Sequence, residues 1–159
     1  MKVRKIYTVL SIALISVILC SCPKNNTVNN PDPVPVPTIS EMKQELLDLI
    51  NNHRSSKSLT TLSNVADLDS IAVKHSFKMA IQKNTDATGL DDLLVSYKQQ
   101  FPNAIVQSIV SSTSNAEPSS VYNMIRDFQI TMLEGDFNNI GIGIYKNGSY
   151  FYTVLFSKN

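Results

Sequence analysis

No cysteine lies beyond residue 22, histidine is limited to His53 and His75, and only five glycines are spread over 159 residues. Without a later cysteine, the chain downstream of Cys22 has no disulfide framework and no thiol nucleophile. With two histidines, imidazole chemistry has only two places to occur. The one close glycine pair, Gly141-x-Gly143, runs on into Ile144, Tyr145 and Lys146. That is a strand context, so it is not a phosphate cradle, and its glycines are expected to permit a close backbone approach or a bulge. Neither charge sign dominates: 14 Lys and Arg face 13 Asp and Glu. No basic stripe marks a nucleic-acid partner.

The amino end supplies what the rest lacks. Lys2, Arg4 and Lys5 precede 14 uncharged residues, Tyr7 to Cys20, the pattern of an export signal. The run is short against the ~20 apolar residues of a spanning helix, so an uncleaved membrane helix is the weaker reading. Leu19-Cys20-Ser21-Cys22 resembles the lipobox of bacterial lipoproteins. Cleavage is expected between Ser21 and Cys22, because Ser21 is small whereas Leu19 before Cys20 is bulky. Cys22 then becomes the lipidated first residue, carrying a diacylglyceryl thioether and further acyl chains (palmitate or similar) into the bilayer. A Cys20–Cys22 disulfide would close a strained one-residue loop and hold nothing together. Each buried methylene contributes ~0.8 kcal/mol, so several chains anchor firmly where one does so only marginally. Loss of residues 1–21 removes three cations, leaving 11 basic against 13 acidic residues, a formal charge of −2. The 138 residues left suffice for one domain with a real core.

Residues 22–37 read as the lipidated cysteine and a tether. From Pro23 to Pro37 there are five prolines, four asparagines and no aromatic residue, too little apolar surface to fold. In extended geometry this stretch spans about 45 Å. The domain is expected over residues 38–159. Thr38-Ile39-Ser40-Glu41 is a capping box, and Met42, Leu46, Leu49, Ile50 and His53 recur at helical spacing. A second helix, with Asn64 or Asp67 as its cap, carries Leu68, Ile71, Ala72, His75 and Met79 on one face. A third runs from Gly89 to Phe101 and stops at Pro102. Ala104 to Val110 is β-branched and predicts a strand; residues 111–116 read as a loop. Pro118 suits the first turn of a fourth helix carrying Val121, Ile125, Phe128 and Met132. The last 22 residues predict a hairpin turning at Asn147-Gly148. Both faces of the final strand are apolar, so helices are expected on both sides of it. The fold class is α+β: a three-layer α/β/α sandwich around a small, mainly antiparallel sheet.

This order, with its local residues, resembles the CAP superfamily of cysteine-rich secretory, pathogenesis-related and bacterial SCP-like exported proteins. The residues that carry it are Leu47-x-x-Ile50-Asn51-x-x-Arg54, Leu59-x-x-Leu62 and Leu68-x-x-x-Ala72-x-x-His75-Ser76-x-x-Met79-Ala80. Phe137-x-x-Ile140-Gly141-Ile142-Gly143-Ile144 and Tyr152-x-x-x-Phe156 complete the set. The resemblance implies a cleft with two histidines and acidic residues, sometimes holding a divalent metal. Carried over position by position, the cleft is blank: Ala87 stands for the first histidine, Gln107 for the glutamate, Phe128 for the second histidine, and Tyr122 for a tryptophan. No metal ligand, cofactor or catalytic residue is therefore expected. A more apolar cleft formed by Ala87, Gln107, Tyr122 and Phe128 is the expected ligand site.

The remaining candidates read as structural. His75 lies on an apolar helix face and reads as a core histidine. His53, at the end of the first helix, reads as a cation favoured by the helix dipole. Asp67, Asp69, Asp91 and Asp92 read as helix-start charges, with a calcium site in the Asp86 to Asp92 loop as a lesser reading. A hydrolase would have to pair Ser108 or Ser76 with His75. The expected function is a non-enzymatic, lipid-anchored surface protein displaying this domain for binding, either of an apolar lipid or sterol or of a host or envelope protein. A weak hydrolase or metal-dependent activity and a purely structural envelope role are the alternatives. The surface or outer membrane is favoured over a periplasm-facing position.

Overall fold

The computed structural model describes residues 35–159; the expected Ser21–Cys22 cleavage site, the expected lipidation site Cys22, Cys20 and the part of the expected tether up to residue 34 lie outside the described residues. From Pro35 onward the chain forms one compact unit. Its first helix, α1 (Ile39–Ser56), opens on the predicted capping box: Thr38 Oγ1 accepts from the Glu41 amide at 3.2 Å, and the Glu41 carboxylate accepts from the Thr38 amide at 2.7 Å. Met42, Leu46, Ile50 and Arg54 follow at four-residue spacing and are all buried, one stripe facing the core.

A two-residue strand, β1 (Ser63–Asn64), precedes α2 (Ala66–Gln82). Neither expected cap is used. The cap position falls on Val65, and the Asn64 amide instead donates to Asp69 Oδ1 and to the Ile140 carbonyl. Asn64 is held by β-pairing, and its side-chain amide is shared between the sheet carbonyl of Ile140 and the first-turn carboxylate of Asp69 rather than capping a free helix amide. Helix α3 (Leu90–Gln100) starts after Gly89, whose φ of +78° favours glycine.

Strand β2 (Ile105–Thr113) runs past the expected loop boundary, because Ser111, Ser112 and Thr113 pair with Tyr152, Phe151 and Tyr150. The fourth helix is also shorter than its periodicity suggested. α4 (Pro118–Phe128) has proline in its first turn, breaks at Gln129 with φ −133°, and resumes as the single turn α5 (Ile130–Leu133). The break changes which residue reaches the core: Leu133 is fully buried, whereas Phe128 is 78% exposed.

β3 (Asn139–Asn147) and β4 (Ser149–Lys158) form the predicted hairpin. Asn147 pairs with Ser149, so Gly148 stands alone at the apex at φ +76° instead of sharing a two-residue turn with Asn147. The sheet order is β1-β3-β4-β2, antiparallel except for the β1–β3 pair. β4, central, points Tyr150, Tyr152, Val154 and Phe156 into a core shared with α1, α4 and α5. On the other face Leu155 packs with α2 and α3, and Phe151 with Met79 and Ala80 of α2. The three-layer α/β/α arrangement is thus present. Gly141 and Gly143 let α2 lie directly on β3: a Cβ added at Gly143 would sit 2.0 Å from the Ala72 carbonyl carbon.

Candidate functional site

The four expected cleft residues do not converge. Ala87 is exposed in the loop after α2, and the neighbouring Thr85 hydroxyl donates to Ser112 at 2.9 Å, so this loop belongs to the α2 layer. Gln107 shares the face of buried Ile109, which packs into the α1/α4/α5 core on the opposite side of the sheet. Tyr122 is half-buried on α4 and turned toward α1, and Phe128 ends α4 with its ring in solvent. Taken as a metal site these positions do not fit. They offer one amide and one phenol and no imidazole or carboxylate, and no group of three His, Cys, Asp or Glu side chains that could hold an ion occurs among the described residues.

What the α1/α4/α5 layer does build is a pair of adjoining grooves around the loop from α5 to β3. One, of about 360 Å³, is lined by Ile105, Gln107, Thr131, Gly135, Asp136, Phe137 and Lys158. The other, of about 400 Å³, is bounded by Arg54, Leu59, Thr60, Glu134, Asp136 and Asn138. Both are within the size range of small-molecule sites. Ile105, which lines the first, is 57% exposed, and Ile130, at the α4–α5 junction one residue before the lining residue Thr131, is 38% exposed.

Arg54 holds this loop in shape. It is 2% exposed, and its guanidinium donates to the carbonyls of Thr60 at 2.7 Å, Leu133 at 2.9 Å, Gly135 at 2.9 Å and Phe137 at 3.1 Å. A planar fork of donors suits several carbonyls converging from one loop. Burial depresses its pKa, while Asp136 nearby acts in the opposite sense.

Next to it stands a polar cluster absent from the sequence-level expectations. The His53 ring does not cap its own helix. Its Nδ1 lies 3.1 Å from the Tyr122 hydroxyl and its Nε2 2.9 Å from Glu134 Oε1, with Lys57 Nζ 3.5 Å from the same carboxylate. The hydrogen bond with His53 holds the Glu134 carboxyl below its ordinary range against the opposing effect of burial, and Lys57 adds to the lowering. Of this group the sequence points to His53 and Tyr122, each in another role, and to neither Lys57 nor Glu134. Glu134 lies 81 positions from His53, too far for any local spacing to reveal.

The other histidine is sealed. His75 is fully buried, its Nδ1 3.0 Å from Thr153 Oγ1; Ser76 Oγ donates to the Gly143 carbonyl at 3.0 Å and lies 3.0 Å from the same threonine hydroxyl. Burial first, then the charge of Lys78, push the His75 pKa down. Ser76 and His75 are thus neighbours with no opening to solvent, and His75 is bonded to Thr153 rather than to Ser108. In the Asp86 to Asp92 loop, Asp86 takes the Thr88 amide at 2.8 Å and Asp91 pairs with Lys98 at 3.3 Å. Asp67, Asp69, Asp91 and Asp92 all fall in first helical turns. Asp69 additionally accepts from the Ile142 amide at 2.8 Å and pairs with Lys43.

The fold is similar to that of an extracellular SCP-domain protein from Bacillus anthracis, with TM-score 0.61 and 19% identity over 79% of this chain and 45% of that one. It is also similar to an outer surface protein from Borrelia burgdorferi, with TM-score 0.67 and 18% identity over 77% of this chain and 96% of that one. A cysteine-rich secretory protein from Staphylococcus aureus gives TM-score 0.58 and 14% identity over 79% and 40%. This chain therefore spans less than half of the Bacillus and Staphylococcus proteins. No curated protein matches it. The model of the cysteine-rich secretory protein family matches residues 47–157, from the middle of α1 to the end of β4, and the chain belongs to that CAP family.

Proposed function

We propose that this chain is a membrane-anchored surface lipoprotein that displays its CAP domain as a binding module without catalysis. The supporting observation is the exposed ring of Phe128, where the family resemblance puts a histidine. It is exposed, as is Ile130 just ahead of Thr131 in the chain, and Thr131 lines a groove together with Ile105 and Phe137. Exposed apolar side chains next to a groove with a few polar groups favour an apolar ligand or a protein surface over a polar substrate. The anchor in this reading is acylated Cys22, on the resemblance of Leu19-Cys20-Ser21-Cys22 to a lipobox. The surface or outer membrane is the favoured placement, in keeping with the extracellular and outer-surface descriptions of the structural neighbours.

Binding of radiolabelled sterol and of fatty acid to the purified chain, with and without Phe128→Ala, tests the ligand. Saturable binding weakened by the substitution supports an apolar small molecule. No saturable binding of either removes that version and leaves capture of a protein, read by crosslinking on whole cells. Mass spectrometry of the mature amino terminus tests the anchor: a start at Cys22 with acyl chains is expected, and any other unacylated terminus overturns it. Protease shaving of intact cells then reads exposure.

A further inference from the structure

Helix α2 buries one side, where Leu68, Ile71, Ala72 and Met79 pack against the sheet and α3. On its outer ridge Val73, Phe77 and Ile81 are 42%, 46% and 60% exposed. Residues four apart lie one above another on a helix, so three consecutive turns present a single apolar stripe to solvent. The Phe77 ring meets Tyr145 of β3 edge-on, centroids 5.0 Å apart, which widens the stripe toward the sheet. The charges along the stripe are of one sign. After its first turn α2, with its cap, carries Lys74, Lys78 and Lys83 and no carboxylate. Lys74 and Lys83 are exposed, and Lys78 donates to the Thr88 carbonyl at 2.9 Å. Asp67 and Asp69 stand in the first turn, and Asp69 is paired with Lys43. The carboxylates of the next segment lie past the helix end: Asp86 holds the Thr88 amide, and Asp91 of α3 pairs with Lys98, with Asp92 next to it. A lysine-flanked apolar ridge suits a bilayer better than a protein. Lysine is depleted in protein interfaces, whereas at a membrane its ammonium reaches the headgroups while apolar side chains enter the interface.

We propose that the outer ridge of α2 docks on an anionic lipid bilayer and lays the domain on the membrane with its grooves turned outward. This rests on the lipid-anchored reading, which gives the domain a bilayer to meet. The 13 residues from Cys22 to Val34 reach about 40 Å at ~3.1 Å each. They join the domain at α1, whose second turn is pinned to the first turn of α2 by the Lys43–Asp69 pair. A helix of 17 residues is about 25 Å long, so the tether is long enough for the whole ridge to lie flat. α2 and the α1/α4/α5 layer cover opposite faces of the sheet. A bilayer under α2 therefore leaves the grooves and Phe128 facing away from it. Three apolar side chains and three lysines hold a free protein only weakly, but in a chain already anchored the second contact is intramolecular and needs only a small bias.

The chain contains no tryptophan, so the fluorescence of Phe77→Trp reports on the ridge alone. The acylated chain is reconstituted in vesicles of phosphatidylcholine, alone or mixed with phosphatidylglycerol, each with and without brominated acyl chains. A blue shift and strong quenching of Phe77→Trp are expected in the anionic vesicles, weak quenching in the neutral ones, and none for Phe128→Trp on the opposite layer. Lys74→Glu with Lys83→Glu, both at exposed positions, should lower the docked population roughly fivefold for each lysine removed, with the melting temperature unchanged. Vesicle flotation separates the two readings. A chain that floats while Phe77→Trp stays unquenched keeps the anchor and overturns the docking; one that does not float overturns both. Quenching equal in the two kinds of vesicle also overturns it. So does a blue shift without quenching in either, because a protein surface, a second copy included, then covers the ridge.

Discussion

The two helical layers keep their polar groups in opposite places. On the α2 face, His75, Ser76 and Thr153 form a hydrogen-bonded set at the centre of the contact, fully buried, with two glycines bringing helix and sheet together around it. On the α1/α4/α5 face the centre is almost wholly apolar, and the polar groups stand at its end. Arg54 clamps a loop there, His53 joins Tyr122 to Glu134, and two grooves open beside them. A buried network fixes how two elements pack, here with His75 Nε2 left without a hydrogen-bond partner; a network at a rim leaves its outer partners in reach of solvent and of ligands. The polar residues that look most like chemistry on the sequence, His75 and Ser76, are therefore the structural ones. Those of the rim border the candidate binding surface.

That contrast breaks most readily at Arg54. Arg54→Met removes every hydrogen bond of the clamp and leaves carbonyls of the α5–β3 loop unpaired, at a cost of about 4 kcal/mol. Urea unfolding measures it. Loss of binding at the grooves should accompany the loss of stability, because the same loop lines both. On the sealed layer, Gly143→Ala drives a methyl group into the α2 backbone and should cost about 2–3 kcal/mol by the same measurement, with the grooves unaffected.

Tyr152 is the polar exception in the apolar centre of the α1 layer. It is fully buried and its hydroxyl has no hydrogen-bond partner. Burial pushes its phenol pKa up, with Tyr150 and Glu45 adding to the effect. Removing an unpaired buried hydroxyl relieves its desolvation, so Tyr152→Phe should raise stability by about 1 kcal/mol in thermal melts. A drop instead would mean that the hydroxyl is paired in the protein.

The least of these effects concerns pH and sharpens the contrast between the histidines. Burial holds the folded pKa of His75 below its ordinary 6.5. As pH falls the unfolded chain takes up the proton first, so this contribution is complete above about pH 6.5 and is lost as pH drops toward the folded value. Denaturation between pH 7 and 5 should show that decline in the wild type and a flatter profile in His75→Gln. A variant that keeps the full slope would move the titrating group elsewhere.

Much of the fold was legible because its signals are local. The capping box at Thr38, the four-residue spacing of α1, Pro118 at a helix start and the glycine apex at 148 each act within a few residues. The errors fell where a distant partner decides. Ser111 to Thr113 are polar enough for a loop, yet β4 pairs with them. Phe128 has the periodicity of a core residue, but the break at Gln129 hands its place to Leu133. His53 has the position of a helix-end cation, yet its ring is taken by Tyr122 and by Glu134.

By itself the sequence determined a helix-flanked sheet and a family pattern, and it raised the expectations of an export-type leader lipidated at Cys22 and of inert residues at the family's histidine and glutamate positions. Only the tertiary structure decided which polar groups are sealed and which reach the rim, and that Ala87 and Gln107 lie on opposite sides of the sheet. The reason is physical. Helical and strand periodicity depend on residues a few positions apart, whereas burial and pairing depend on which distant segments pack together.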